Sequence, residues 1–301
     1  MKIPVGIMGY GNLGMAIENQ LKNSEYFDLV AIFSRRKSDK TILFEDVCDY
    51  KDKIKILFLC VGSQNDLEKT ALFLIKDFDI VECYDNHSRL ESFHKKLDKI
   101  AVDSRHVALC SVGWDPGLFS LMRGLFKSLG LSPVTFWGKG TSQGHTQAIK
   151  NIDGVIDAVQ FTIPDKEKIK AVKNGRVIEN GKSLHQRLCL IVANKEKHKS
   201  IREKIVSMKD YFVGFKTKIK FVSREKLVKI KSFSHKGEVA TVGNVANFSL
   251  NLSSNPEFTA KIMVAYAKAL EIFARDGEFG VKTIFDVPFK NVLNESIYKF
   301  F

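Results

Sequence analysis

A chain of 301 residues that is 45% hydrophobic, with 47 Lys and Arg against 34 Asp and Glu and a formal charge of +13, has the composition of a globular protein and the length for two domains. Its longest apolar runs, Ile56–Val61 and Leu188–Ala193, are strand-sized and exclude a membrane-spanning helix. The basic residues are spread without interleaved aromatics, which points away from nucleic acid and toward anionic small ligands. Cys48, Cys60, Cys83, Cys110 and Cys189 have neither zinc nor disulfide spacing and predict a reducing, cytoplasmic setting.

In chain order, Ile3–Met8 predicts a buried strand, and Leu13–Leu21, with Leu13, Ile17 and Leu21 at helical spacing, predicts a helix. Between them lies Gly9-Tyr10-Gly11-Asn12-Leu13-Gly14. Its glycines suit a tight turn, close approach of a pyrophosphate and close packing of helix on strand. A second strand, Leu29–Phe33, runs into Ser34-Arg35-Arg36-Lys37. An NAD site places a carboxylate there for the ribose 2′-OH; a hydroxyl and two guanidiniums favour the 2′-phosphate of NADP instead. Further strands are predicted at Ile56–Cys60, Ile80–Cys83 and Val107–Cys110, with helices at Asp66–Ile75 and Leu90–Val102. The alternation predicts an α/β, Rossmann-type doubly wound parallel sheet. The strand ends carry Gly62–Asp66, Tyr84–His87 and Ser111–Gly117, which should line one crevice.

Beyond Leu118 the pattern changes. A helix over Leu118–Leu129 precedes strands at Pro133–Trp137, Val155–Ile163, Leu184–Val192, Lys216–Val222 and Val239–Val242. Helices are predicted near Asp165–Lys173, Glu196–Ser207 and Pro256–Ala274, the last with Asn255 as N-cap. This reads as a second α+β domain on a mixed sheet. The expected division is residues 1–118, with about 275–301 packing back on them, and residues 119–274.

At this point the chain resembles the meso-diaminopimelate dehydrogenases, nearly end to end. The resemblance rests on Gly9–Gly14, Phe33-Ser34-Arg35-Arg36, Leu59–Ser63, Tyr84-Asp85-Asn86-His87 and Gly113-Trp114-Asp115-Pro116-Gly117. It continues through Phe136-Trp137-Gly138, Ser142-Gln143-Gly144-His145, Asp210–Gly214 and Asn255–Ala260. It implies NADP-dependent, reversible oxidative deamination of meso-diaminopimelate at its D-centre. The products are ammonia and L-2-amino-6-oxopimelate, which cyclises to tetrahydrodipicolinate, on a route to lysine. It also implies a homodimer with a dinucleotide-binding first domain and a second domain for substrate and dimerisation.

Carried over residue by residue, the resemblance gives Asp85 and Asp115 the catalytic positions around the D-amino centre. Trp114 and Trp137 wall the pocket, and Gln143 and Gly144 contact substrate. Thr162, Arg187, His235 and Asn255 hold the distal L-centre, with Arg187 the clamp on its carboxylate. The cofactor set is Gly9, Tyr10, Gly11, Asn12, Leu13, Gly14, Ser34, Arg35, Arg36, Gly62, Ser63, Asp66, Asp85, Asn86, His87, Asp115, Pro116 and Gly117. No metal is implied. Plainer readings stand beside these: Asp85 and Asp115 as turn formers, the tryptophans as core, Arg187 as an edge residue, His235 as a surface-loop histidine. A broader D-amino-acid dehydrogenase and a non-catalytic NADP-binding protein are the competing functions. The chain departs from the family at Ser88-Arg89 after His87, at Lys139, and in a shorter Gly243–Ser254 region.

Overall fold

The structure is a computed structural model that describes residues 2–62, 66–178, 181–209, 211–230 and 234–301. In chain order the elements are β1 (Ile3–Met8), α1 (Asn12–Leu21), β2 (Phe27–Ser34), β3 (Ile42–Leu43), β4 (Ile56–Leu59), α2 (Leu67–Leu74), β5 (Asp79–Glu82), α3 (Leu90–Ser104), β6 (Val107–Leu109) and α4 (Leu118–Ser128). They continue with β7 (Pro133–Trp137), β8 (Gly140–Thr141), α5 (Gln143–Lys150), β9 (Val155–Pro164), α6 (Lys166–Lys173), β10 (His185–Ala193), α7 (His198–Val206) and β11 (Lys216–Phe221). The last are α8 (Arg224–Ile230), β12 (His235–Thr241), β13 (Asn247–Leu252), α9 (Asn255–Arg275) and β14 (Gly280–Lys282). They divide into two units, Met1–Leu121 with Pro256–Phe301, and Met122–Asn255.

The first unit is built on a seven-stranded sheet in the order β14-β6-β5-β4-β1-β2-β3, every pair parallel. Its central strands are short and buried at every residue, as in β4, β5 and β6. Such continuous apolar runs suit a parallel sheet covered on both faces. In α3, Phe93, Leu97 and Ala101 recur at helical spacing and are its buried residues. They join the core formed with Leu57, Leu59, Phe78 and Ile80. The chain winds outward from β1 to β3 on one side and from β4 to β14 on the other, so the order reverses between β1 and β4. That reversal is the position at which open α/β sheets bind ligands.

The expected boundary at 274 is corrected, because α9 groups with the first unit and the second ends at Asn255. The reason lies in its contacts. Lys268 lies over the Tyr26 ring at 4.0 Å, Glu271 pairs with Lys55 at 3.5 Å and Phe273 lies under Lys282 at 5.0 Å. The first boundary also moves, from 118 to 121, inside α4. Asn255 is the first residue of α9 instead of the residue before it.

The second unit holds two sheets. One, β11-β10-β9-β8, is mixed: β10 pairs parallel with β11 and antiparallel with β9. The other, β13-β12-β7, is antiparallel. Cys189 and Ile191 of β10 pack with Ile149, Ile201 and Ile205 of α5 and α7. Leu188, Leu190 and Val192 pack on the other face with Leu227 of α8. The short β8 and the helices α5 and α8 were not expected from the sequence. Nor was β13, and the strand expected at Val239–Val242 begins earlier, at His235. In α5 the only buried residues are Ala148 and Ile149, and a glycine sits in its first turn, so its pattern is weak.

The glycine turn after β1 explains its own composition. At Gly9, φ +103°, a Cβ would stand 2.8 Å from the Cys60 carbonyl, beyond the end of β4. At Gly14 a Cβ would stand 2.0 Å from the Gly9 carbonyl oxygen. At Gly11 it would meet nothing within 4 Å. Two glycines therefore serve packing and the third leaves free space. Gly14→Ala should cost roughly 1–3 kcal/mol by overpacking against backbone and lower the melting temperature by several degrees. Gly11→Ala should leave the melting temperature unchanged and weaken dinucleotide binding, as read by NADPH fluorescence. Equal melting effects of the two substitutions would contradict this division of roles.

Candidate active site

In the first unit, three groups of residues stand at the carboxyl ends of the strands. Gly11, Asn12 and Leu13 open α1, with Gly11 and Asn12 exposed and Gly11 backed by empty space. Tyr10 donates to Glu18 at 2.6 Å, and that bond pushes its phenol up to about 12. At the end of β2, Ser34 Oγ accepts from Arg36 N–H at 3.1 Å and donates to the Arg36 carbonyl, so the hydroxyl shapes the turn. Arg35 and Arg36 are exposed, and Arg35 lies 3.8 Å from Asp66. The Gly62 carbonyl accepts from Asp66 and Leu67 N–H at 3.2 and 3.1 Å, which anchors the start of α2. Ser63 lies outside the described residues. Free space at Gly11, tight glycines on either side of it and two exposed guanidiniums at the end of β2 fit a phosphorylated dinucleotide.

Asp85 and Asp115 follow β5 and β6, which pair through Ile80 with Ala108 and Val81 with Leu109. Asp85 is exposed. Beside it, the half-buried Asn86 accepts from Ser88 Oγ at 2.8 Å, while His87 is exposed. Gly113–Gly117 form a tight knot. Gly113 N–H donates to the Pro116 carbonyl at 3.0 Å and Leu118 N–H to the Gly113 carbonyl at 3.0 Å. Gly117 has φ +127°, and a Cβ there would stand 2.0 Å from the Gly113 carbonyl oxygen. Within the knot Trp114 is buried edge-on against Phe119, ring centroids 5.2 Å apart, and Asp115 is half-buried.

In the second unit, strand register assembles the residues expected at the distal centre. Arg187 on β10 is opposite Thr162 on β9, and Thr162 is opposite Gly140 on β8. A Cβ on Gly140 would stand 2.6 Å from the His235 Cα, so only glycine lets β12 approach here. Arg187 is 8% exposed. One of its terminal nitrogens donates to Thr162 Oγ1 at 2.6 Å, and the guanidinium lies 4.2 Å from the Phe215 ring centroid. Its Nε has no hydrogen-bond partner, and among the described residues no carboxylate pairs with it. Burial pushes its pKa down to about 10. Arg187 is therefore a buried cation and not an edge residue. His235 is likewise buried, not on a surface loop, with Nδ1 2.7 Å from the Lys236 carbonyl.

Three polar residues missed in the sequence join this group. His185 is buried, and its Nε2 accepts Trp137 N–H at 2.8 Å. That bond leaves the proton on Nδ1, which has no partner. Burial, reinforced by Arg187, lowers the His185 pKa to about 4. Gln160, also buried, points its amide nitrogen 3.5 Å from Thr162 Oγ1 and leaves Oε1 without a partner. His145, one residue past Gly144 on α5, is held well below the usual range by burial and by Arg187. Trp137 is half-buried beside the His185 ring at 5.1 Å. Gln143, also half-buried, has an unpartnered Nε2. His185 and Gln160 each stand two residues from Arg187 or Thr162 along a strand. For Gln160, a polar residue at that period inside an apolar run is the signal that would have found it; His185 lies in the polar stretch Lys182–Arg187 and carries no such signal.

Among the described residues no helix is long and apolar enough to cross a membrane. Residues 113–259 match the family described as Diaminopimelic acid dehydrogenase C-terminal domain. The chain is 39% identical to the meso-diaminopimelate D-dehydrogenase of Ureibacillus thermosphaericus, covering 96% of this chain and 94% of that protein. It is 35% identical to the enzyme of the same name from Corynebacterium glutamicum, covering 95% and 93%. Among solved structures, the C. glutamicum DAP dehydrogenase in complex with DAP superposes with a TM-score of 0.93 at 34% identity, covering 99% of this chain and 98% of that one. An engineered D-amino acid dehydrogenase bound to NADP+ gives the same TM-score of 0.93 at 32% identity, with 99% and 98% covered. With identity of this level along almost its whole length, the chain belongs to the meso-diaminopimelate D-dehydrogenase family.

Proposed function

We propose that this chain catalyses the reversible, NADP-dependent oxidative deamination of meso-2,6-diaminopimelate at its D-centre. The products are ammonia and L-2-amino-6-oxopimelate, the open form of tetrahydrodipicolinate, and the reaction serves lysine biosynthesis in the cytoplasm. The observation that carries the reading on this chain's own residues is Arg187. A buried guanidinium whose Nε has no partner, and which no carboxylate among the described residues pairs with, is costly unless an anion completes it. A substrate with a second carboxylate, distant from its reacting carbon, supplies that anion.

The first unit acts as the dinucleotide-binding domain and the second as the substrate-binding and dimerisation domain of a homodimer. Gly9 to Gly14 and Gly62 take the pyrophosphate, and Arg35 and Arg36 take the 2′-phosphate. NADP, when bound, supplies the hydride acceptor. Asp85 and Asp115 hold the D-ammonium and take up its proton, and afterwards place the water that hydrolyses the imine. Trp114 and Trp137 exclude bulk water from that carbon. Gln143 and Gly144 hold the nearer carboxylate by hydrogen bonds. Arg187 and Thr162 take the distal carboxylate, with His235 and Asn255 completing the L-centre.

Reduction of NADP with meso-diaminopimelate, beside the LL and DD isomers and D-alanine, tests the whole reading. Turnover should be strong with the meso isomer and absent with the LL isomer. Rates with D-alanine equal to those with the meso isomer would contradict a distal carboxylate grip. Arg35→Ala combined with Arg36→Ala should raise KM for NADP far more than for NAD, since charge-assisted bonds are worth about 1.5–3 kcal/mol each.

Arg187→Met keeps bulk and removes the fork. KM for meso-diaminopimelate should rise on the order of 100-fold, as expected for losing about 3 kcal/mol from a buried charge pair, with a smaller fall in kcat. The ligand-free variant should melt no lower than the wild type, because an uncompensated buried cation has gone. A lower melting temperature with unchanged KM would make Arg187 structural. Asp115→Asn, nearly isosteric, should lose most of kcat while NADPH affinity and melting temperature hold. Retained activity across pH would reduce Asp115 to a turn residue.

A further inference from the structure

The segments that carry Asp85 and Asp115 leave two neighbouring strands, and one side chain is bonded to both. Glu82, the last residue of β5, is fully buried. Its Oε2 accepts the N–H of Tyr84, the residue before Asp85. Its Oε1 accepts the N–H of Ser111 at 2.9 Å, where the segment leading to Asp115 begins. Its own carbonyl accepts Val112 N–H at 2.9 Å. Ser111 has φ +56°, a conformation that side-chain-bearing residues rarely take. The Ser111 N–H is thus turned toward Glu82 by a backbone that needs outside support.

We propose that Glu82 is a positioning residue for the deamination, its carboxylate setting the spacing of Asp85 and Asp115 by accepting one backbone N–H from each segment. The proposal rests on the reading that places those two carboxylates at the reacting carbon. A core position in need only of packing would hold an apolar residue, since burying a carboxylate is unfavourable. Here burial raises the Glu82 pKa to about 7. Among the described residues, the groups facing it offer no cation. His94 from α3 is lowered by burial, Cys110 follows β6, and Cys83 and Asp85 flank Glu82 on its own segment. The Glu82 oxygen, a His94 nitrogen and the Cys110 sulfur all lie within 4.8 Å of one another. What compensates the carboxylate is therefore chiefly the two N–H groups. A protonated carboxyl keeps one good acceptor and gains a donor, so it can serve only one of them.

Glu82→Gln tests this, because an amide likewise offers one acceptor and confronts the other N–H with a donor. At about pH 8 the variant should show amide exchange accelerated about 10-fold or more at Tyr84 or Ser111. Its kcat should fall at least about 10-fold, since displacement of a reacting group by ~1 Å can cost on the order of 100-fold. Substrate KM and NADPH affinity should stay within about 3-fold. Glu82→Asp, which keeps two acceptors, should recover part of kcat. Exchange unchanged at both amides, or kcat within about 2-fold of wild type, overturns the proposal. Should Glu82→Gln fail to fold, exchange in the wild type between about pH 5.5 and 8.5 decides. Opening that breaks only the two N–H bonds leaves Glu82 buried and lifts its pKa further, because those bonds lower it. After correction for intrinsic rates, protection at Tyr84 and Ser111 should therefore rise with pH as Glu82 ionises, and flat protection overturns the clamp. A wild-type enzyme inactive on meso-diaminopimelate overturns the proposed function and the positioning role with it, while the exchange result still reports whether the clamp exists.

Discussion

The ligand-facing side of the first unit depends on one backbone approach, that of Gly9 to Cys60 and Val61 at the ends of two adjacent strands. No side chain fits between them. The approach lets α1 begin directly beyond β1, with Gly14 seated on the Gly9 carbonyl. The strand order reverses at the same place, so later chain segments can return to the same side of the sheet only by running outward from β4. Cys60, Cys83 and Cys110 then each follow a buried strand of three or four residues. Strands this short leave little slack, and the loops after them must begin near the level of the glycine turn.

The second unit solves a different problem, holding a charge away from water. Register does most of it: Arg187, Thr162 and Gly140 form one cross-strand row, and the missing side chain at Gly140 lets His235 close beside them. Burial holds the pKa of His145 and His185 low, which disfavours adding like charge next to the guanidinium. The Phe215 ring offers its face to the cation and contributes attraction without supplying an acceptor for Nε.

Most of the first unit was legible because its signals are redundant. Ile3–Met8 is a strand with the expected bounds, and the strands at Ile56–Leu59 and Val107–Leu109 end one residue before the expected bound, since apolar runs and turn residues there agree. Burial around Arg187 was not legible. Lys182-Ser183-Leu184-His185-Gln186-Arg187 reads as polar and exposed, and only pairing with β9 shows that its alternate residues point inward. The boundary after α9 failed for a related reason. Its helix could be read from Pro256 and its apolar spacing, but which unit it packs on depends on contacts with Tyr26 and Lys55, more than two hundred residues earlier in sequence. The elements β8, α5, α8 and β13 are short or half-polar, and tertiary pairing instead of local propensity holds them in place.

Among the described residues neither buried Glu82 nor buried Arg187 pairs with an opposite charge, and their difference separates positioning from binding. Glu82 has each oxygen taken by a backbone N–H, so its charge is compensated whether or not a ligand is present. Arg187 has Thr162 on one nitrogen and, among the described residues, nothing on Nε, so their compensation of its charge is incomplete. A group satisfied by the backbone stabilises one loop geometry permanently. A group left unsatisfied stabilises a complex more than it stabilises the free chain, because the ligand removes a cost the fold still bears. On the proposed assignment, carboxylate binding at Arg187 would draw on free energy that the ligand-free second unit still bears.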